Sequence, residues 1–399
     1  MKRTIRIASG QVDTPPRIAL WALGFRPFYL VGALFGCLAM LLWLGALAGW
    51  PLLDSTSYMS GTLWHVHEMI FGFGAAIVTG FLLTAVRAWT STNPAHGANL
   101  AALLLLWLAG RIMMWSASGP VGVVVDVAFL PVVALVLLRV LLRAKNRHNV
   151  FLPVALGLLA LLNVLFHVWA SHGHGDWALR SAWLAVGMLV LFVTVIGGRI
   201  IPSFTANAVP GFSAKRWRFV EATVIPATLL AFLLDSLGAP WAAIVAASAA
   251  AAALHGLRLS GWRSWRVGYR AILLILHIAY AGIPLGFVML ALGALGVAPH
   301  SLAIHTFTVG VIGTAIIAMI TRTARGHTGR ELVAGKVEIA CYGLFVLATL
   351  VRVLGPWLAP QFTMAWIYAS GLCWVTALVL YCVRYAAWLV LARADGKQG

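Results

Sequence analysis

The sequence predicts an all-α, polytopic membrane protein of about twelve transmembrane helices, and three observations carry that expectation. Hydrophobic residues make up 62% of the 399 positions. Only 10% are charged, against roughly 25% in a soluble domain. The apolar residues also fall into runs of the ~20 positions needed to cross a hydrocarbon core of about 30 Å. Barrel strands would show short alternating segments instead, and helices are the other way to satisfy every backbone amide in lipid.

The first apolar run covers approximately 28–49. The N-terminal tail before it, about 1–20, is too polar and too long for a cleaved signal peptide, so the first helix is expected to stay attached. The second run, about 66–86, opens at WHVHEM and continues uncharged as IFGFGAAIVTGF. The third and fourth, about 98–116 and 121–143, lead into the basic loop RVLLRAKNR. The fifth, about 150–170, carries His167 in its last turn and passes into SHGHGD. The sixth, about 178–197, runs into GGRIIPSFTAN, and the seventh and eighth are about 219–236 and 240–257. The ninth, about 270–294, contains HIAY. The tenth, about 300–320, begins with His300 and His305 and ends at TRTARGHTGR, and the last two are about 337–355 and 362–386. No loop exceeds about 25 residues, which leaves no room for a soluble domain. The expectation is one transmembrane domain over residues 1–399.

The net charge of +18 has its origin in the loops. On the twelve-helix map 25 of the 28 basic residues fall on one side, against Arg111, Arg180 and Arg352 on the other. The positive-inside rule then places both termini in the cytoplasm. Basic loops of this kind sit against anionic lipid, so the bilayer is the expected partner and nucleic acid is not. The four cysteines, Cys37, Cys341, Cys373 and Cys382, lie inside spans and form neither CxxC nor CxxCH. They read as small core residues, which disfavours covalent c-type haem and a thiolate zinc site.

Of the twelve histidines, seven gather at the lightly charged side: His65, His67, His167, His172, His174, His300 and His305. Two readings stand. Histidine is an interfacial residue that hydrogen-bonds between helices; equally, ionisable groups at membrane depth are expensive and usually functional, which favours ligand roles for His65, His67, His167 and His305. On a regular helix, residues two apart point about 200° apart, so His65 and His67 serve two sites unless the first turn is unwound. Glu68 and Met69, at i+3 and i+4, are expected on the face of His65. Imidazole with thioether suits copper, and imidazole alone suits a haem iron, with Glu68 as an orienting partner or a proton carrier. Gly72, Gly74 and Gly80 leave a small-residue surface for another helix or a flat macrocycle. On the basic side His277 is deep in its helix, where a structural hydrogen bond and a ligand role are both open. There, Arg199, Arg322, Arg325 and His327 could grip a carboxylate or propionate.

These motifs resemble the NnrS family. The resemblance runs from FRPF at 25–28 through WHVHEM and FGFGAAIVTGFLLTAV, LFH ending at His167, GGRIIPSFT, LHIAY at 276–280 and HTFTVGVIGTAIIAMITRTARGHTGR at 305–330. It implies a multi-pass protein of the bacterial inner membrane, found with denitrification genes and active in the nitric oxide response and nitrosative stress, that carries copper and a haem of b type. A membrane or periplasmic electron donor would be implied for turnover. Position by position, the motifs carry His65, His67, His167, His277, His305 and His327. Met69, Glu68, Arg199 and Arg322 lie within the same motifs. His277 and His327 sit roughly 10–15 Å of helix below the others, so one iron cannot be held by both layers. Twelve helices with an HxH pair are also an architectural analogy to subunit I of the haem-copper oxidases. This chain has no adjacent histidine pair within a span, and an oxygen-reducing pump is not expected.

The function expected is therefore binding or reduction of nitric oxide at a histidine-ligated metal site near the outer face, with Glu68 as the motif's one carboxylate available for proton transfer. Two alternatives remain: a membrane transporter of copper, haem or a small nitrogen compound, and a scavenger or sensor without turnover. No repeat between residues 1–200 and 201–399 supports paired transporter halves.

Overall fold

A computed structural model of the chain describes residues 18–50, 59, 61–116, 119–268 and 270–397. Most of the N-terminal tail expected at 1–20 thus lies outside the described residues. Twelve helices are long and apolar enough to cross a membrane: α1 (Phe25–Leu47), α2 (Gly61–Thr90), α3 (Gly97–Trp115), α4 (Gly119–Arg143), α5 (Arg147–Ser171), α6 (Gly175–Ala208), α7 (Arg218–Ser236), α8 (Trp241–Arg266), α9 (Ala271–Ala294), α10 (His300–His327), α11 (Lys336–Leu358) and α12 (Pro360–Val390). They match the twelve apolar runs in order. No strand occurs among the described residues beyond one isolated bridge, Ile18 to Leu391. The chain is an all-α polytopic membrane protein.

Burial sorts the helices into two layers. In α2, α6, α9 and α10 most residues of the apolar stretch are buried, whereas in each of the other eight fewer than half are. The four buried helices form the centre of the bundle, and α2 and α10 both pack on α6. Side chains such as Leu135, Leu161, Leu285 and Val383 stay exposed on the outside, as a lipid-facing surface requires.

Two of the central helices depart from regular geometry near the same end. In α2 the segment Glu68–Gly74 is π-helical, and in α10 so is Thr306–Gly313. Each follows directly on a histidine, His67 in one case and His305 in the other. Such wide turns inside α-helices are rare and are frequent at functional sites. Gly72 shows why a small residue stands in the first of them: a Cβ there would lie 2.8 Å from Phe35 and 2.9 Å from the Arg111 guanidinium.

The basic end is closed by the motifs FRPF and GHTGR. Arg26, fully buried, donates through Nη1 to the carbonyls of Trp388, Leu389 and Leu391 at the end of α12. The Thr328 carbonyl accepts the Ala394 N–H at 3.0 Å, and the His327 carbonyl accepts Arg393 Nη1 at 2.9 Å. Arg393 also forms two hydrogen bonds to Asp395, which hold that carboxyl below the usual carboxylate range. Both motifs fasten the last helix to the bundle.

Candidate metal and ligand sites

The two histidines of WHVHEM open onto different environments. The helix begins at Gly61, a turn earlier than the apolar run suggested, so both lie within it and diverge as regular geometry requires.

His67, on one side of α2, belongs to a buried polar cluster built by four helices. Its Nδ1 lies 2.7 Å from Glu68 Oε1, and its Nε2 lies 3.0 Å from Asn163 Oδ1 and 3.2 Å from Asp126 Oδ2. His167 Nε2 is 2.9 Å from the same Asp126 oxygen, to which Asn163 Nδ2 donates at 2.8 Å. Arg111 of α3 pairs with both acids, through Nη1 to Glu68 Oε1 at 2.6 Å and through Nη2 to Asp126 Oδ1. None of these six side chains belongs to a residue more than 7% exposed. Carboxylate oxygens accept, so His67 donates from Nδ1 to Glu68, and its Nε2 also faces acceptors only. Two carboxylates thus stand against one guanidinium in this cluster. Buried charges are tolerated only when paired in this way.

Glu68 thus lies with His67 and Arg111, whereas the i+3 spacing expected it on the face of His65. His67 Nδ1 and Arg111 of α3 engage the Glu68 carboxylate on that side. Met69 does share a cavity wall with His65, as the i+4 spacing expects.

That cavity, about 380 Å³, lies on the other side of α2, bounded by α1, α6, α10, α11 and α12. His65, Met69, His305 and Arg352 supply its functional groups, and Trp43, Trp183 and Trp374 are among its aromatic walls. The volume falls within the roughly 300–1,000 Å³ of small-molecule and cofactor pockets. His65 stacks on Trp43, with ring centroids 4.7 Å apart and planes 18° apart. Its Nδ1 is buried without a hydrogen-bond partner. His305 Nδ1 donates to the Ser301 carbonyl at 2.7 Å, which fixes the tautomer and leaves Nε2 with a lone pair. A second, smaller apolar cavity of about 100 Å³ adjoins the first at Leu189 and Ile312, which line both. Gly74 lines this smaller space, while Gly80 packs against Phe28 and Tyr29 of α1.

The remaining candidates are engaged elsewhere. His277 has both ring nitrogens on hydroxyls, Thr205 at 3.1 Å and Ser264 at 2.8 Å. Arg199 donates to Asn149 at 2.8 Å and lies over the Phe151 ring. Arg322 sits 3.9 Å from the Phe204 ring centroid, Arg325 pairs with Glu338, and the His327 ring packs on Phe25. None of these five lines either cavity. His300 pairs with Asp235 at 2.9 Å, and the His172 Nδ1 bonds the Val168 carbonyl.

Asp126, Asn163, Arg111 and Arg352 are the site residues that reading the motifs missed. For Asp126 a signal was present: an acid several residues inside an apolar run is costly unless it has a function or a partner. Asn163 and Arg111 became visible only once the helices were placed.

Which groups these sites suit follows from the donors. His67 Nε2, His167 Nε2 and Asp126 Oδ2 lie within 4.8 Å of one another, close enough to take a single metal ion. Glu68 on the Nδ1 of His67 is the orienting carboxylate that metal-bound imidazoles carry. The larger cavity offers space, flat aromatic walls, an imidazole with a free lone pair and a thioether. Those donors fit a haem or a soft copper ion.

Comparison with known families decides the relationship. A family model described as NnrS protein matches residues 19–393. The chain belongs to the NnrS family. The match takes in both histidine sites, the FRPF and GHTGR closures and all twelve NnrS helices. No curated protein matches the chain.

Proposed function

We propose that this NnrS protein is a haem- and copper-binding protein of the bacterial inner membrane that binds or reduces nitric oxide at the lightly charged end of the bundle, as part of the nitric oxide response. The observation that carries the reading is the pairing of two histidine sites on opposite sides of one helix: a roomy aromatic cavity at His65 and His305, and a tight two-histidine, one-carboxylate group at His67, His167 and Asp126. The orientation with that end outward rests on the charge asymmetry of the loops.

In this reading the cavity takes the haem, with His305 and His65 as the available imidazoles, and the tight group takes the copper. A haem iron supplies a centre for diatomic ligands, and copper supplies one-electron chemistry. The chain's own residues do the rest. Ser301 holds His305 with Nε2 free. Arg111 anchors Glu68, and Glu68 orients His67, so Glu68 acts here as a positioning group as well as the motif's carboxylate for proton exchange. The three tryptophans and Phe73 give the cavity apolar walls. Nitric oxide is small and apolar and dissolves in hydrocarbon. The smaller cavity adjoining at Leu189 and Ile312 gives it a dry approach.

The test is a visible absorption spectrum of the purified, detergent-solubilised protein, oxidised, reduced and reduced with nitric oxide, with copper counted on the same sample. A Soret band that shifts with nitric oxide and stoichiometric copper support the reading. A colourless, copper-free protein from haem-replete cells sinks it.

A further inference from the structure

The larger cavity contains one feature that imidazole and thioether donors do not account for. Arg352, in the second half of α11, lines the same cavity as His65 and His305. It makes no ion pair, and its guanidinium has no hydrogen-bond partner among the described residues. Among the described residues no acidic side chain lines the cavity. The contrast with the other arginines near the bundle interior sharpens the point. Arg111 meets Glu68 and Asp126, Arg258 meets Glu221, Arg325 meets Glu338, and Arg26 caps three carbonyls. A guanidinium at membrane depth is retained where it faces a partner or a ligand. The partner missing at Arg352 is an anion, and the cavity is where it would sit.

We propose that Arg352 is the anion-binding residue of the larger cavity, and that it holds a carboxylate or a small oxyanion beside His65 and His305. The planar fork of the guanidinium matches either group with two parallel, charge-assisted hydrogen bonds. The mostly apolar wall strengthens them by lowering the local dielectric. This role shifts the anion contact from the arginines of the basic end to the opposite end of the bundle, since Arg199 and Arg325 are already engaged and Arg322 lies on Phe204. Two sources offer this chemistry: the propionate of a bound haem, which deepens the function proposed above, and a free nitrogen oxyanion such as nitrite, which is independent of it.

The experiment compares ferric haem, haem dimethyl ester and sodium nitrite, each titrated into the full-length detergent-solubilised protein and into Arg352→Gln and Arg352→Lys. Haem is followed by its Soret band and nitrite by calorimetry, and thermal melting confirms that each variant is folded. If the anion is a propionate, the wild type binds haem at least tenfold tighter than the ester, Arg352→Gln abolishes the difference and Arg352→Lys restores part of it. If it is a free oxyanion, haem and ester bind alike, and saturable nitrite binding is lost in Arg352→Gln. Indistinguishable behaviour of wild type and Arg352→Gln toward all three ligands overturns the proposal. Failure of both haem and ester to bind the wild type overturns the haem reading alone, because the nitrite titration still decides the anion site.

Discussion

Replacing Arg111 by leucine removes the one guanidinium that faces two buried carboxylates, and its cost can be worked from the structure. Glu68 and Asp126 are 1% and 3% exposed, so neither can recover its lost partner from water. Breaking a buried ion pair by deleting one member costs about 3–5 kcal/mol, because a buried charge is left uncompensated. With an unfolding entropy of about 2 cal/mol/K per residue over 399 residues, Tm should fall on the order of 5 °C. The charge count makes a sharper statement. Asp126→Asn removes one of the two acids and nearly preserves shape, so in the Arg111→Leu background it relieves the imbalance instead of adding to it. The double variant should therefore melt above the sum of the single losses, with a coupling of roughly 1–3 kcal/mol. A thiol-reactive dye suits the assay, since Cys37, Cys341 and Cys382 are buried and react only on unfolding. Additive losses would refute the sharing of Arg111 between the two buried acids.

Three further outcomes follow from the same geometry. Glu68→Gln keeps a side chain beside His67 but weakens its orientation, and copper affinity should drop about 10–100-fold with haem content unchanged; equal affinity by competition with a chelator would exclude the positioning role. Leu189→Trp, placed where the two cavities adjoin, should slow nitric oxide association in stopped flow without altering the haem spectrum, and an unchanged rate would mean the gas arrives by another path. His277→Ala should retain both metals and lose about 1–3 kcal/mol of stability by leaving the Thr205 and Ser264 hydroxyls short of a partner; loss of haem from this variant would return His277 to the ligand set.

The fold was legible because the bilayer imposes length. Twelve apolar runs became twelve helices, and the central position of α2 matches the long uncharged stretch after WHVHEM. The opposite facing of His65 and His67 also follows from helical geometry alone. The sequence did not reveal the two π-helical segments, which owe their geometry to packing around Gly72, Gly310 and Gly313 rather than to local propensity. Glu68 is held on the side away from His65 by its bonds to His67 and Arg111. The buried cluster was half visible: its histidines stand in motifs and Asn163 lies one turn before His167 on α5, but Asp126 and Arg111 come from two other helices, and no spacing rule links them. His255 is similar, since its bonds to Thr228 and Tyr280 appear only when α7, α8 and α9 are packed. Arg352 read as one of three stray basic residues, and only its unpaired place on a cavity gives it meaning.

The central claim is that α2 divides two cofactor sites, and it is tested most directly by counting haem and copper in His65→Ala, His305→Ala, His67→Ala and His167→Ala purified side by side. The account expects haem to be lost or spectrally altered in the first two with copper retained, and copper to be lost in the last two with haem retained. A single substitution that removes both metals, or a loss pattern pairing His65 with His67, would contradict it.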